Sequence, residues 1–231
     1  LRWRVEKKGY DALEIGQTPK FPRLDFQLSA NGEAPPGMLQ VPEGSYQFGS
    51  SGAINVPAFW LDRTEVTNRQ FKEFVDAGGY RERAYWDDEA WAWRQASGLE
   101  HPVYWRPAGH DWEVRTFNRW RPLRPRDAMI HVSWHEAQAY CRWAGRRLPT
   151  EAEWEVAASG EPTPDGQALT AGKRYFPWGD DAPDAARANL DGYALGTIDV
   201  TALPDSDSAF GCRQMIGNTW EWTSDTFGPY P

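Results

Sequence analysis

The spacing of apolar residues changes several times along the chain, and each change marks an element. Leu1, Trp3 and Val5 alternate with Arg2, Arg4 and Glu6, the period of two that marks a strand, and Lys8-Gly9-Tyr10 follows as a turn. A second extended piece is expected over Arg23–Leu28, and Ser29–Gly37 reads as a linker from its Gly, Pro and Ser content. Met38–Val41 and Tyr46–Gly49 then read as two short strands around the turn Pro42-Glu43-Gly44, with Phe59–Asp62 as a third. From Thr67 the period lengthens. Phe71, Phe74 and Val75 fall on one helical face, Thr67-Asn-Arg-Gln70 has the form of a capping box, and Gly78-Gly79 supplies the stop. A further helix is expected over about Asp88–Gln95, and Tyr104–Trp120 reads as a hairpin whose turn Pro107–His110 lies between Trp105 and Trp112.

The clearest signals come next. Ser133-Trp-His-Glu136 and Thr150-Glu-Ala-Glu153 are both S/T-x-x-E boxes. In such a box the hydroxyl accepts one orphan first-turn N–H and the carboxylate reaches back to another. Ala144-Gly145 ends the first of these helices, and Arg146–Pro149 forms a short rigid link to the second. Beyond Ser159 the chain reads as loops, including the acidic stretch Asp180–Asp199. Gln214–Thr223 reads as a short strand that ends in the alternation Trp220-Glu221-Trp222.

Composition sharpens this picture. Fourteen Trp lie among 231 residues, and each large ring offers about 150–250 Å² to bury, so a core can form without much regular secondary structure. Eighteen Pro and 21 Gly, spread along the length, fit many turns. A net charge of −8 argues against general binding to nucleic acid or anionic membranes. No apolar run approaches the roughly 20 residues that span a bilayer. The N-terminus carries no signal-peptide pattern, and the chain is expected to be part of a longer protein. Cys141 lies mid-helix and reads as a buried free thiol of a reducing, cytoplasmic compartment. A disulfide to Cys212 stays open as an alternative.

Four motifs in order, EVTNRQFKEFVDAGGY, HVSWHEAQAYCRWAGRRLPTEAEWE, YFPWGDD and GNTWEWTSD, resemble the formylglycine-generating-enzyme (sulfatase-modifying-factor) domain family. The resemblance implies an α+β, C-type-lectin-like fold with little regular secondary structure, two packed helices and a twisted antiparallel sheet. It implies a domain over 38–231, truncated at its C-terminal end, after a β-rich lead-in or the end of an upstream module (1–28) and a linker (29–37). Tyr85–Trp93, Pro102–Arg106, Arg119–Leu123 and Phe227–Pro231 look most like the sulfoxide synthases of the ergothioneine and selenoneine type. That likeness implies a non-haem iron and O₂, joining a thiol or selenol to a histidine derivative, with the iron held by an upstream domain of the same chain. Two alternatives stand beside it. One is formylglycine formation on a sulfatase cysteine (or other peptide), which uses copper; neither Cys141 nor Cys212 stands where that family's copper-binding cysteines stand, so copper is not supported. The other is a non-catalytic binding module, because LRWRVEKKGYDALEI resembles the small β modules that join such domains to signalling proteins such as kinases.

The candidate site residues follow from both sources. His131 and His135 have metal-ligating i, i+4 spacing, yet Ser133 is the expected N-cap, so His131 precedes the helix and no metal pair is expected. His101 and His110 have no partner in sequence. The resemblance implies two structural calcium sites. One comprises Asn189, Leu190, Asp191 and Asp199. The other comprises Gly217, Thr219 and Glu221, with Gln214 where the family has Asn. Arg115, Arg119, Arg121, Arg124 and Arg126, interleaved with Phe117 and Trp120, are expected to stack on rings or pair with carboxylates rather than bind nucleic acid. Arg106, Arg119 and Arg121 are candidates to hold a substrate carboxylate bidentately, with Tyr230 beside them by resemblance. Glu153 is accounted for by its box, and Trp154 and Glu155 are expected to fix their helix to the sheet. No catalytic residue is assigned.

Overall fold

The computed structural model describes residues 2–16, 28, 30, 32–49 and 52–228. The expected strand Arg23–Leu28 and the candidate Tyr230 lie outside the described structure, Leu28 excepted. The chain forms two compact units. One comprises Leu1–Glu65, Pro149–Gly196 and Thr201–Pro231; the other comprises Val66–Leu148 and Thr197–Val200.

The first unit begins with a two-stranded antiparallel pair, β1 (Arg2–Val5), which the alternation predicts, on β2 (Leu13–Gly16), which was not expected. Next come β3 (Met38–Val41), β4 (Gly44–Gln47), β5 (Ala53–Val56) and β6 (Phe59–Asp62). The expected β3–β4 hairpin does not form. β3 pairs with β6, and β4 pairs with the unforeseen β5. Pro42 has no N–H to give a ladder through that turn. At Gly44 the chain presses on Leu169, so closely that a Cβ would lie 2.7 Å from the Leu169 Cβ.

The second unit carries the aromatic core. α1 (Asn68–Asp76) starts with the expected box, Thr67 N–H donating to Gln70 Oε1 at 2.8 Å, and buries Phe71, Phe74 and Val75. Gly79 then passes the Phe74 ring, where a Cβ would sit 2.0 Å from Cε2. α2 (Asp88–Ser97) is capped by Asp87 and closed by Gly98 at φ +66°. The expected hairpin is a three-stranded meander, β7 (Trp105–Ala108), β8 (Asp111–Thr116) and β9 (Arg119–Pro122), in which Arg106 faces Glu113 and Glu113 faces Pro122. The third strand hides in sequence among arginines. α3 (Trp134–Trp143) starts with the complete Ser133–Glu136 box. Phe71 stacks on Tyr140 and meets Phe74 edge-on, both at 5.4 Å, and contacts of this kind add about 0.5–1.5 kcal/mol each beyond their buried area. Glu136, only 3% exposed, also accepts a short hydrogen bond from the Tyr80 hydroxyl. Cys141 is half-buried here rather than buried, and neither cysteine is in a disulfide.

Returning to the first unit, α4 (Glu151–Ser159) has the third complete box, Thr150 with Glu153. Its Val156, Ala157 and Ala158 enter a core with Val41, Tyr46, Val56, Phe59, Leu169 and Phe210. Glu155 accepts from the Tyr46 hydroxyl at 3.0 Å and pairs with Lys173, which ties the helix to its strands as expected. The two strongest boxes thus start helices in different units, α3 in one and α4 in the other. The segment expected to be loop contains a hairpin, β10 (Gly160–Pro162) with β11 (Leu169–Lys173), closed by Thr163 and Asp165 side-chain bonds. The expected strand Gln214–Thr223 is absent. Gln214, Gly217 and Asn218 take φ +56°, +86° and +57°, and three left-handed residues in so short a run cannot continue a ladder. The result is an α+β architecture with modest regular secondary structure.

Candidate functional site

Residues 201–228 are ordered by polar ties rather than by a ladder. Arg213 donates bidentately to Asp207 at 2.6 and 2.9 Å, with both side chains buried, and its Nη1 donates to Thr201 O at 2.8 Å. The buried Ser206 and Ser208 hydroxyls accept from Gln214 N–H and Cys212 N–H. Burial pushes the Cys212 thiol up to about 12, which keeps it protonated and unreactive at neutral pH.

This scaffold carries Glu221 beside a residue that was not among the expected site residues, Glu65, three residues past β6. Asn218 Nδ2 donates to Glu65 Oε1 at 2.8 Å, while Glu65 Oε2 is buried with no hydrogen-bond partner. Burial raises the Glu65 carboxyl to about 7, against the hydrogen bond from Asn218. Burial likewise raises Glu221 to about 8; the Glu65 charge adds to that, and the Trp154 indole opposes it. Glu221 as a residue is exposed, although burial is the first cause that raises its carboxyl. The Trp154 N–H is directed at Glu221 without completing a regular hydrogen bond. Gly217 lies against the backbone of Asn189, where a Cβ would stand 2.7 Å from the Asn189 carbonyl oxygen. Trp220 and Phe227 are fully exposed next to these groups in sequence.

Two close carboxyls, one with a bare oxygen, fit a hard cation such as calcium, which takes six to eight oxygen ligands. The Gly217 carbonyl already accepts from Thr219 N–H at 2.7 Å and keeps one lone pair for an ion. The other implied calcium group is divided between the units. Asn189, Leu190 and Asp191 belong to the first, where Asn189 O accepts from Asn218 N–H and its Nδ2 donates to Gly196 O and Asn218 Oδ1. Asp199 belongs to the second, where it pairs with Arg126 at 2.8 Å.

The remaining candidates belong to the second unit. His101 Nδ1 is 3.0 Å from Pro102 O, His131 sits at φ +62° against the Tyr104 ring, and His135 is flanked by Trp93 and Trp134. Among the described residues no three His, Cys, Asp or Glu side chains converge as metal ligands. Arg106 grips Glu113 through two nitrogens at 2.8 and 2.6 Å and lies over the Trp120 ring at 4.4 Å. Arg124 and Arg126 pair with Asp127 and Asp199, whereas Arg119 and Arg121 are exposed on β9. No helix among the described residues is long and apolar enough to cross a membrane.

Residues 26–231 match the sulfatase-modifying factor enzyme 1-like domain. The chain belongs to this family. Within the sulfatase-modifying factor family, it is 45% identical to the hercynine oxygenase of Mycolicibacterium thermoresistibile over 179 residues, 77% of this chain and 38% of that protein. The hercynine oxygenase of Mycobacterium tuberculosis is 40% identical over the same share of the chain and 40% of its own length. The formylglycine-generating enzyme of Bos taurus is 30% identical, covering 88% of the chain and 63% of that protein. The chain therefore spans about two-fifths of the length of the hercynine oxygenases it matches.

Glu65 was legible only indirectly. It stands between the polar Arg63-Thr64 and the helix start Val66-Thr67, with nothing in sequence to pair it with Glu221.

Proposed function

We propose that this chain is the lectin-like part of an O₂-dependent sulfoxide or selenoxide synthase, joining a thiol or selenol to a histidine derivative. The observation that carries this reading is the 45% identity to a protein named hercynine oxygenase, against 30% to formylglycine-generating enzymes. A non-haem iron would supply the oxidising chemistry when bound, and this proposal places its ligands outside the described residues. The chain's own contribution is a wall for substrate. Arg119 and Arg121 on β9 suit a substrate carboxylate better than Arg106, whose guanidinium is committed to Glu113 and Trp120.

The test is the full-length parent protein, loaded anaerobically with ferrous iron and then given O₂, trimethylhistidine and a thiol or selenol. The expected result is a new C–S or C–Se product by mass spectrometry. An iron-loaded enzyme that forms neither product overturns the proposal. A second reading, a non-catalytic module, draws on 33% identity to a mouse relative named inactive C-alpha-formylglycine-generating enzyme 2.

A further inference from the structure

We propose that the tip of the β8–β9 hairpin is an interaction surface that docks on the acidic loop 180–196 of a second copy of this chain. The inference starts from the backbone. β8 and β9 pair as far as Thr116 opposite Arg119, which leaves Phe117 and Asn118 as a two-residue turn. Phe117 takes φ +53° there. Glycine, asparagine and aspartate hold such turn positions at little cost, whereas a bulky side chain is strained in the left-handed region. The ring gains nothing from the fold in return, being 77% exposed. Arg115 braces the tip, its Nε donating to Phe117 O at 3.2 Å. Between residues 106 and 126 six arginines stand against two acids, in a chain whose net charge is −8. Aromatic and arginine side chains are the types that most often carry the energy of a protein interface.

A surface that fits this tip must be acidic and must offer apolar contact. The segment 180–196 has both properties. Asp180, Asp181, Asp184 and Asp191 are exposed there, with Arg187 the one basic residue, and Tyr193 and Leu195 are 79% and 74% exposed. Leu195 repeats the pattern of Phe117, with φ +51° and its side chain in solvent. Leu203, the other apolar residue with a positive φ among the described residues, is half-buried. The tip of one copy on the loop of another sets positive charge against negative and ring against aliphatic side chain. Opposite charges steer the encounter, and the apolar anchors hold it. This role is separate from that proposed for Arg119 and Arg121. By register they share a face with Thr116 and Val114, whereas Arg115 lies with Trp120 on the other. A contact this small is below the size of permanent dimers, so the association is transient and concentration-dependent.

Analytical ultracentrifugation of the full chain, from micromolar to millimolar concentration at low salt, should show self-association that molar sodium chloride weakens. Phe117→Gly removes the anchor and suits the turn. It should weaken association roughly ten- to a hundredfold while melting no lower than the parent chain, whereas loss of a residue that serves the fold would lower the melting temperature. Leu195→Gly, which also suits its backbone angle, should weaken association to a similar degree. The deciding experiment mixes the two variants. Each keeps the surface that the other lacks, so the equimolar mixture should recover association that neither shows alone. A parent chain that stays monomeric throughout overturns the proposal. So does a Phe117→Gly chain that associates as tightly as the parent or melts well below it. Unchanged association of Leu195→Gly, or a mixture that fails to associate, removes the acidic loop as the docking partner and overturns the proposal as well, since the tip would then meet another tip or another surface.

Discussion

Exchanging the acceptors of two capping boxes should have opposite effects, because the boxes use their oxygens differently. In α1 both Thr67 donors, N–H and Oγ1, reach a single atom, Gln70 Oε1, at 2.8 and 2.7 Å. One amide oxygen is enough there. In α3 the Ser133 N–H and hydroxyl converge on Glu136 Oε2 at 2.7 and 2.9 Å, while Oε1 takes the hydroxyl of Tyr80, which is 1% exposed. Burial and the Glu136 carboxylate both raise the Tyr80 phenol, so it stays protonated and donates. Glu136→Gln offers one oxygen to donors arriving from two sides. The Tyr80 hydroxyl can turn to accept from the new amide, yet its own proton then lacks an acceptor. A charge-assisted bond worth about 1.5–3 kcal/mol gives way to a neutral one worth about 1, so the expected cost is about 0.5–2 kcal/mol. Gln70→Glu instead adds a negative charge to a first turn that has none, worth about 0.3–1 kcal/mol in favour of the fold. For a chain of this size each kcal/mol moves the melting temperature by about 2–4 °C. Thermal melts followed by circular dichroism should show Glu136→Gln melting lower and Gln70→Glu melting at or above the parent temperature. In a Tyr80→Phe background the cost of Glu136→Gln should shrink, since the second donor is gone. Equal effects of the two exchanges, or a Glu136→Gln cost that persists unchanged without the Tyr80 hydroxyl, would refute the reasoning.

Two further outcomes are expected. Gly79→Ala puts a methyl 2.0 Å from the Phe74 ring in the aromatic core, so it should destabilise by about 1–3 kcal/mol or more in urea melts; a neutral effect would mean that the ring has room to move. Asp87 is held below the usual carboxylate range first by the Ala90 N–H it caps and then by Arg142, so its stabilisation is full above pH 4 and is lost as pH falls through its lowered value; Asp87→Asn, which keeps a cap acceptor, should flatten that acid limb in pH-dependent melts.

The helices were legible because each signal is local. Thr67–Gln70, Ser133–Glu136 and Thr150–Glu153 lie within one turn and act on their own backbone, so no distant partner is needed to read them. The strands were harder for the opposite reason. Ala53–Val56 and Gly160–Pro162 run four and three residues, too short for a period of two to stand out, and their partners are fixed by burial against Leu169 and its neighbours. Trp220-Glu-Trp222 shows the reverse error. Its alternation is that of a strand, yet the left-handed Gln214 and Asn218 redirect the chain just before it, and non-glycine residues announce such angles weakly. The site was the least legible part. Arg106 looked available until the β7–β8 register put Glu113 opposite it, and Glu65 meets Glu221 only after folding.

The ladder-free segment explains how the two halves of this site differ in firmness. Asp207 and Arg213 anchor its start, and removing one partner of such a buried pair costs about 3–5 kcal/mol, because the other charge is left without compensation. Arg63, next to Glu65 but for Thr64, also donates to Asp207 at 3.3 Å and accepts the Arg213 N–H on its carbonyl at 2.8 Å. The chain leading into Glu65 is thus held by β6 and by this ion cluster at once. Glu221 lies beyond Gln214, between the Asn218 contact to Glu65 and two ties to the start of α4, Ser224 N–H to Pro149 O at 2.8 Å and Glu151 N–H to Asp225 Oδ2 at 2.6 Å. Mutual repulsion would push residues 217–222 away from β6, and a shared cation would draw them back. Hydrogen exchange of the amides in that stretch should slow when calcium is added, while amides around Asp207 and Arg213 stay unchanged; uniform slowing of both would point to global stabilisation instead of a local bridge.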